Sequence, residues 1–177
     1  MRFIVTLLLA LLLAGCASAP LAPAEQRWSG RFSALATQGD WRESVSGRFL
    51  LEQRGPQYSL ELATPIGGTV ARIEAGPEGA RARGVQIAET RGPDADALSQ
   101  ELLGFALPVR GLPDWIQGRP YPGPSLMRDD TLEQDGWKIR VLERDVHGQP
   151  RRLLFERAES PSAPAVRLQL VLDTPAS

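Results

Sequence analysis

The chain has 177 residues, a length that is enough for one domain and too short to expect two. Of these residues, 42% are hydrophobic, which allows a substantial core. Its 20 basic and 21 acidic residues nearly balance, so the charge gives no reason to expect a nucleic-acid partner. The single cysteine excludes a disulfide within one molecule, and the single histidine argues against a metal site of nitrogen and sulfur ligands.

The beginning of the chain has the pattern of an export signal. One basic residue precedes an apolar run over residues 3–13, which is shorter than the roughly 20 residues needed to cross a bilayer. The run ends in Leu13-Ala14-Gly15-Cys16, which resembles a bacterial lipobox, where the chain is cut before an acylated cysteine. We expect residues 1–15 to be a signal peptide, Cys16 to be lipidated, and residues 16–26 to form a Pro/Ala tether. The alternative is a free thiol after an ordinary signal.

The next part of the chain alternates apolar and polar residues with a period of two, as half-buried antiparallel strands do. Turn residues separate the alternating stretches, among them Gly39, Gly55-Pro56 and the segment 76–79. We predict five strands here, over residues 28–37, 41–53, 58–62, 70–75 and 84–90.

One connection in this region is unusual because it contains an apolar residue. In Thr64-Pro65-Ile66-Gly67-Gly68-Thr69, the proline fixes one backbone dihedral and the glycines allow a sharp return. Ile66 is therefore expected near the tip of the loop, facing outward. Isolated exposed aliphatic residues are common on soluble proteins, so an ordinary surface position is the alternative to a functional one.

A helical insertion interrupts the strands. Residues 93–104 place apolar side chains at helical spacing, and residues 111–118 predict a short second helix with Pro113 in its first turn and Gly118 as its end. Three prolines then predict a loop. Strands resume over residues 131–134, 137–141, 152–157 and 166–173. We expect eight to eleven strands, a sheet long enough to curl, with the helices over its concave side.

Residues for catalysis are absent from the sequence. His147 has no histidine or cysteine partner, and no Gly-x-Ser-x-Gly turn or phosphate-cradling glycine pattern is present. The carboxylate pairs Asp129-Asp130 and Asp94/Asp96 are predicted in a loop and at a helix start, where solvated or capping roles are typical. We therefore expect a protein that is not an enzyme and that has no cofactor apart from the lipid on Cys16.

Several stretches, in their order along the chain and together with the lipobox, resemble the LolB family of outer-membrane lipoprotein receptors. The matching residues are Trp28-Ser29-Gly30-Arg31-Phe32, Gly47-Arg48-Phe49 with Gln53, Thr64-Pro65-Ile66-Gly67, Gly104-Phe105-Ala106-Leu107-Pro108-Val109, Leu112 with Trp115-Ile116-Gln117-Gly118 and Pro120, and Gln134-Asp135-Gly136-Trp137.

The resemblance implies a mainly β fold of the LolA/LolB type, an incomplete antiparallel β-barrel with a helical lid over a hydrophobic cavity, within one lipoprotein-binding domain over residues 27–175. It implies that Pro65, Ile66 and Gly67 form a loop that inserts into the membrane. The acyl-binding cavity is expected among twelve apolar or aromatic residues, although the tryptophans also fit a plain core. These are Phe32, Phe49, Leu51, Tyr58, Leu60, Leu62, Leu102, Phe105, Trp115, Ile116, Trp137 and Ile139.

By the same resemblance, the protein is expected to be a lipid-anchored monomer in the outer membrane, facing the periplasm. Its partners would be the periplasmic lipoprotein carrier LolA, acylated lipoprotein cargo and outer-membrane lipid. The alternative is a structural lipoprotein that scaffolds an envelope complex and fills any cavity with its own side chains.

Overall fold

The computed structural model describes residues 25–85 and 87–173. The predicted signal peptide, Cys16 and most of the tether therefore lie outside the described residues. Eleven strands and two helices follow one another along the described chain: β1 (Gln26–Gln38), β2 (Trp41–Arg54), β3 (Gln57–Ala63), β4 (Thr69–Gly76), β5 (Gly79–Gly84), β6 (Ile87–Gly92), α1 (Ala95–Leu103), α2 (Leu112–Trp115), β7 (Leu126–Arg128), β8 (Thr131–Gln134), β9 (Trp137–Arg144), β10 (Pro150–Arg157) and β11 (Ala165–Leu172).

All eleven strands form one antiparallel sheet. Their order is β6-β5-β4-β3-β2-β1-β11-β10-β9-β8-β7, so the last strand returns to pair with the first, and β6 and β7 are the two edges. The predicted fold class, an incomplete barrel with a helical insertion, is confirmed. We call the end of the sheet that carries the β1–β2, β3–β4 and β5–β6 turns the tip end. The β2–β3, β4–β5 and β9–β10 turns lie at the opposite end.

The concave face of the sheet and the two helices enclose the hydrophobic core. Inward-facing residues alternate with exposed ones along each long strand, as the burial pattern of β11 illustrates, where every second residue is buried. Neither helix in the described ranges is long and apolar enough to cross a membrane. The largest fully buried side chains include Trp115, Phe105, Phe155, Leu51, Leu60 and Ile73.

A four-residue repeat shapes the first hairpin. The sequence Ser-Gly-Arg-Phe occurs at residues 29–32 and again at residues 46–49, and the two copies pair so that each glycine faces the other copy's phenylalanine. A Cβ on Gly30 would lie 2.2 Å from the carbonyl oxygen of Val171, and a Cβ on Gly47 would lie 2.2 Å from that of Ala63. Glycine is therefore required where neighbouring strands approach this closely.

We expect Gly47→Ala to lower the free energy of unfolding by about 1 to 3 kcal/mol, because the added methyl group overlaps the backbone of β3 and presses on Phe32. Urea unfolding of the two proteins measures the change. Gly68→Ala is the matched control, since the nearest atom to its added Cβ would be 3.6 Å away and its φ is not positive. Equal stability of the Gly47 and Gly68 variants would contradict the close-packing argument.

The helical insertion forms as predicted. Asp94 caps α1 by accepting the backbone N–H of Ala97 at 2.8 Å, and Gly104, with φ of 79°, ends the helix. Helix α1 buries Ala95 and Leu98 and lies over β4, β5 and β6. The short α2 buries Trp115, whose ring lies 6.2 Å from that of Phe155, so it covers the β10 side of the sheet.

Three details of the predicted strands were wrong. The strand predicted over residues 84–90 is divided by a turn at Val85, whose side chain is 78% exposed, and β6 begins after it. Strand β5 was not predicted because its inward residues are only alanines, Ala80 and Ala82. Both are buried in the strand over which α1 lies, where the close helix leaves room for small side chains. The three exposed residues of β7 were also missed, since they have no alternation to detect.

Candidate functional site

The β3–β4 loop holds its apolar residue at the tip end in a fixed turn. The N–H of Gly67 donates to the carbonyl oxygen of Thr64 at 2.9 Å, and the N–H of Thr64 donates to the carbonyl oxygen of Gly68 at 2.8 Å. The N–H of Gly68 also donates to Oγ1 of Thr64 at 3.1 Å. Pro65 and Gly67 occupy the positions that such a turn favours. Ile66 between them is 98% exposed.

An apolar cavity of about 290 Å³ lies beside this loop. It is bounded by the concave side of β1 to β4 and by the second half of α1. Thr64, Pro65 and the partly exposed Val70 contribute to its lining, so the cavity reaches the surface next to Ile66. Its lining residues are Phe32, Val45, Ser46, Leu62, Ala63, Thr64, Pro65, Val70, Ala71, Ile73, Ser99, Leu102 and Leu103.

The cavity differs from the larger depression at the opposite end of the sheet. That depression has a volume of about 490 Å³, but its lining includes the charged residues Glu52, Arg54 and Arg72. An apolar ligand would leave those charges without water, which is costly. The smaller cavity is about twice the volume of an engineered apolar cavity that takes benzene, so it has room for a segment of one hydrocarbon chain.

Three of the twelve residues predicted for the cavity line it: Phe32, Leu62 and Leu102. Tyr58 is partly buried against the core and borders the charged depression instead. Burial raises the pKa of the Tyr58 phenol, and nearby Asp96 adds to this effect. The remaining eight belong to the closely packed core and are at most 4% exposed: Phe49, Leu51, Leu60, Phe105, Trp115, Ile116, Trp137 and Ile139.

Sequence reasoning missed several lining residues, among them Val45, Ala71, Ile73 and Leu103. A signal for the first three was present, since they belong to the inward-facing alternation of β2 and β4. That alternation identifies the concave face but not the part of it that the helices leave uncovered.

Polar contacts fix α1 and α2 in place. Ser99 is fully buried, and its hydroxyl donates to the carbonyl oxygen of Asp96 at 2.7 Å and accepts the N–H of Leu107 at 2.8 Å. In α2, Nε1 of Trp115 donates to Oε1 of the buried Gln134 at 2.9 Å. Gln134 in turn donates to the carbonyl oxygen of Tyr121 at 2.8 Å. These bonds satisfy buried polar groups that would otherwise destabilise the lid.

Asp96 is the most perturbed carboxylate near the lid. Burial raises the pKa of Asp96 from 3.8 to about 6, and the charge of Asp94 adds to this, while the hydrogen bond from the backbone N–H of Arg110 opposes it. That hydrogen bond, 2.9 Å long, connects α1 to the segment before α2. The Asp96 carboxylate therefore binds a proton more tightly in the folded state than in the unfolded chain.

The contribution of Asp96 to stability is complete below about pH 4 and is lost as the pH rises through about 6. Asparagine keeps an accepting oxygen but has no charge. We expect Asp96→Asn to become more stable relative to the unmodified protein across this interval, by at most about 3 kcal/mol. Urea unfolding of both proteins at several pH values measures the difference. A difference that does not change with pH would contradict the assignment.

In the part of the chain that the structure describes, no group of three or more His, Cys, Asp or Glu side chains is placed to hold an ion. His147 lies in the β9–β10 turn at the opposite end of the sheet, where its backbone N–H donates to Asp145 at 2.8 Å. Asp129 and Asp130 form the turn between β7 and β8.

Comparisons with known proteins agree with this geometry. Residues 25–174 match the family model described as outer membrane lipoprotein LolB. The chain is 38% identical to the outer-membrane lipoprotein LolB of Cupriavidus pinatubonensis, over 89% of this chain and 87% of the relative. It is 35% identical to that of Ralstonia nicotianae, over 92% and 90%. The relative from Bordetella pertussis, under the same name, is 38% identical over 94% and 89%.

Proposed function

Because the chain belongs to the LolB family of outer-membrane lipoproteins, we propose that it is the receptor that accepts lipoproteins from a periplasmic carrier and inserts them into the outer membrane. The observation that carries this proposal is an apolar cavity that reaches the surface beside a fully exposed isoleucine. The cavity suits the acyl chains of the cargo, and Ile66 suits contact with the bilayer into which they are released.

The cavity acts by keeping acyl chains out of water. Each methylene group that leaves water contributes about 0.8 kcal/mol, so unshielded chains do not cross an aqueous compartment readily. A cavity of about 290 Å³ holds only part of such cargo. Helix α1, which lies over β4, β5 and β6, therefore moves away from these strands as the chains enter. Leu102 and Leu103 on that helix follow the chains and keep the lining apolar.

Transfer proceeds without an energy source when the affinity for acyl chains increases from the carrier to the cavity and from the cavity to the bilayer. The cavity binds acyl chains more tightly than the carrier does, and the bilayer holds them more favourably than the cavity does. Ile66 gains roughly 1.5 to 3 kcal/mol when it enters the lipid. This holds the opening of the cavity against the surface while the chains leave it, and no covalent bond is made or broken in the cargo.

The lipid on Cys16 keeps the domain at the outer membrane. Ten residue steps separate Cys16 from Gln26, which gives a reach of at most about 35 Å. Gln26 lies at the opposite end of the sheet. The row of residues that pair side by side at the base of the β3–β4 loop runs across β2 and reaches β1 at Arg31. That row is about 17 Å further along the strand, so the anchor and Ile66 reach the same bilayer together.

A transfer experiment tests the proposed function. The soluble domain without Cys16 is mixed with a periplasmic carrier loaded with a lipoprotein, and the cargo is located after the two proteins are separated. We expect most of the cargo on the domain. Cargo that stays on the carrier would overturn the receptor assignment.

A fluorescent fatty-acyl probe separates this function from the scaffold alternative. A scaffold lipoprotein would have an interior filled by its own side chains, whereas the open cavity beside α1 favours a receptor. We expect the probe to bind the domain and to be displaced by cargo. Absence of binding would favour the scaffold.

A further inference from the structure

Ile66 is not the only exposed apolar residue at the tip end. Val85 in the β5–β6 turn is 78% exposed, and Val70 at the start of β4 is 45% exposed. The N–H of Val85 donates to the carbonyl oxygen of Val70 at 3.3 Å, so the β5–β6 turn lies directly against the strand that leaves the Ile66 loop. These three exposed apolar residues therefore lie in two adjacent turns and at the start of the strand that leaves the first of them.

The two turns differ in charge from the outer faces of the strands that lead to them. Along the outer face of the same strands, arginine and glutamate pair across the sheet, as in Arg72 with Glu61 and in Arg81 and Arg83 with Glu74. Residues 64–71 and 84–88 contain no charged residue. A charged side chain within a bilayer is costly, whereas an uncharged turn enters it without that penalty.

We propose that Val85 is a second membrane-inserting residue, so that the β3–β4 and β5–β6 turns enter the lipid together. This rests on the proposed function and adds a contact that the single loop does not provide. The occupant is a lipid bilayer, because Val70 joins the two turns and also lines the apolar cavity. Apolar residues therefore lead from the cavity through Val70 to the turn that carries Val85, and with both turns in the lipid, acyl chains that leave the cavity meet lipid and not water.

Val146 provides a matched control within the same chain. It is also a valine in a hairpin turn and is 94% exposed, but it lies in the β9–β10 turn at the opposite end of the sheet. If exposure alone brought a valine into contact with lipid, Val146 and Val85 would behave alike. If the tip end faces the bilayer, only Val85 meets the lipid.

Site-directed fluorescence in the full lipidated protein tests the proposal. Cys16 is the only cysteine of the chain. In the lipidated form its thiol carries the acyl group, so Val85→Cys, Ile66→Cys and Val146→Cys each supply one reactive thiol. The proteins are reconstituted into vesicles of phosphatidylethanolamine and phosphatidylglycerol, labelled with an environment-sensitive dye, and exposed to lipids with a quencher on the acyl chain. We expect quenching at positions 66 and 85 and none at 146.

A label at position 85 that behaves like the label at 146 would overturn the proposal. So would a label at 85 that responds to added carrier without vesicles, because the turn would then be a protein-docking surface. Quenching at 66 without quenching at 85, with normal cargo transfer, removes the second contact and leaves the receptor function standing. Quenching at both positions with no cargo transfer supports the two-turn contact and refutes the receptor function.

A substitution pair extends the test to delivery. We expect Val85→Asp to slow cargo insertion into vesicles at least about tenfold, because an inserted aliphatic side chain is replaced by a charge. Val146→Asp should insert cargo at the unmodified rate. Both variants place the new charge on an exposed turn, so both should fold, which urea unfolding verifies. Equal insertion rates for the two variants would contradict the role of Val85.

Discussion

Ile66→Glu is expected to leave cargo capture nearly unchanged and to stop delivery into the bilayer. The side chain is 98% exposed, and backbone groups together with the Thr64 hydroxyl close its loop, so the substitution removes no internal contact. Delivery changes for two reasons. The apolar gain of roughly 1.5 to 3 kcal/mol is lost, and an ionised carboxylate would have to enter the lipid at a cost of about 2 kcal/mol or more.

Together these effects correspond to a decrease in productive membrane contact of at least about a hundredfold. Capture is measured as transfer of cargo from the loaded carrier, and delivery as the appearance of cargo in vesicles that sediment. Val146→Glu is the control, since it adds the same charge to an exposed turn at the opposite end of the sheet. An equal loss of capture and delivery would show that the loop is only structural.

Leu102→Glu is expected to produce the opposite separation, with capture lost and membrane contact retained. Leu102 lies on α1 and lines the cavity, yet it is partly exposed, so the fold tolerates a polar side chain there. An acyl chain that enters the cavity would have to remove water from the new carboxylate without replacing its hydrogen bonds. We expect the affinity for a fluorescent acyl probe to fall at least about tenfold.

Gln100→Glu is the matched control for this prediction, because it adds the same charge to an exposed position two residues earlier on the same helix. Its probe affinity should equal that of the unmodified protein. Urea unfolding establishes that both variants are folded. If Leu102→Glu binds the probe as well as Gln100→Glu does, the cavity beside α1 does not hold acyl chains.

The sequence predicted the fold wherever a local rule was sufficient. Alternation and turn glycines located most strands, and the capping aspartate and terminal glycine of α1 bounded the helix. The rules failed where tertiary contacts decided the residue type. The inward residues of β5 are alanines because helix α1 packs closely over them, and nothing within the sequence of the strand indicates that helix.

The candidate site was predictable in the same uneven way. The exposed position of Ile66 followed from Pro65 and the glycines that flank its turn. The division of the concave face into a filled part and an open part did not, because alternation is identical in both. Trp115 and Phe105 are residue types that often line ligand pockets, but their side chains fill the space between the helical insertion and the sheet themselves.

The hydrogen bonds that close the β3–β4 loop also determine how much of the apolar gain remains as binding free energy. Fixing one flexible residue costs roughly 1 to 2 kcal/mol of conformational entropy, so ordering even two residues at the membrane would cancel the contribution of one isoleucine. Here that ordering takes place when the protein folds, before any lipid is met. A single side chain on a preorganised turn therefore keeps most of its apolar gain as binding free energy, whereas the same side chain on a flexible loop would gain almost nothing.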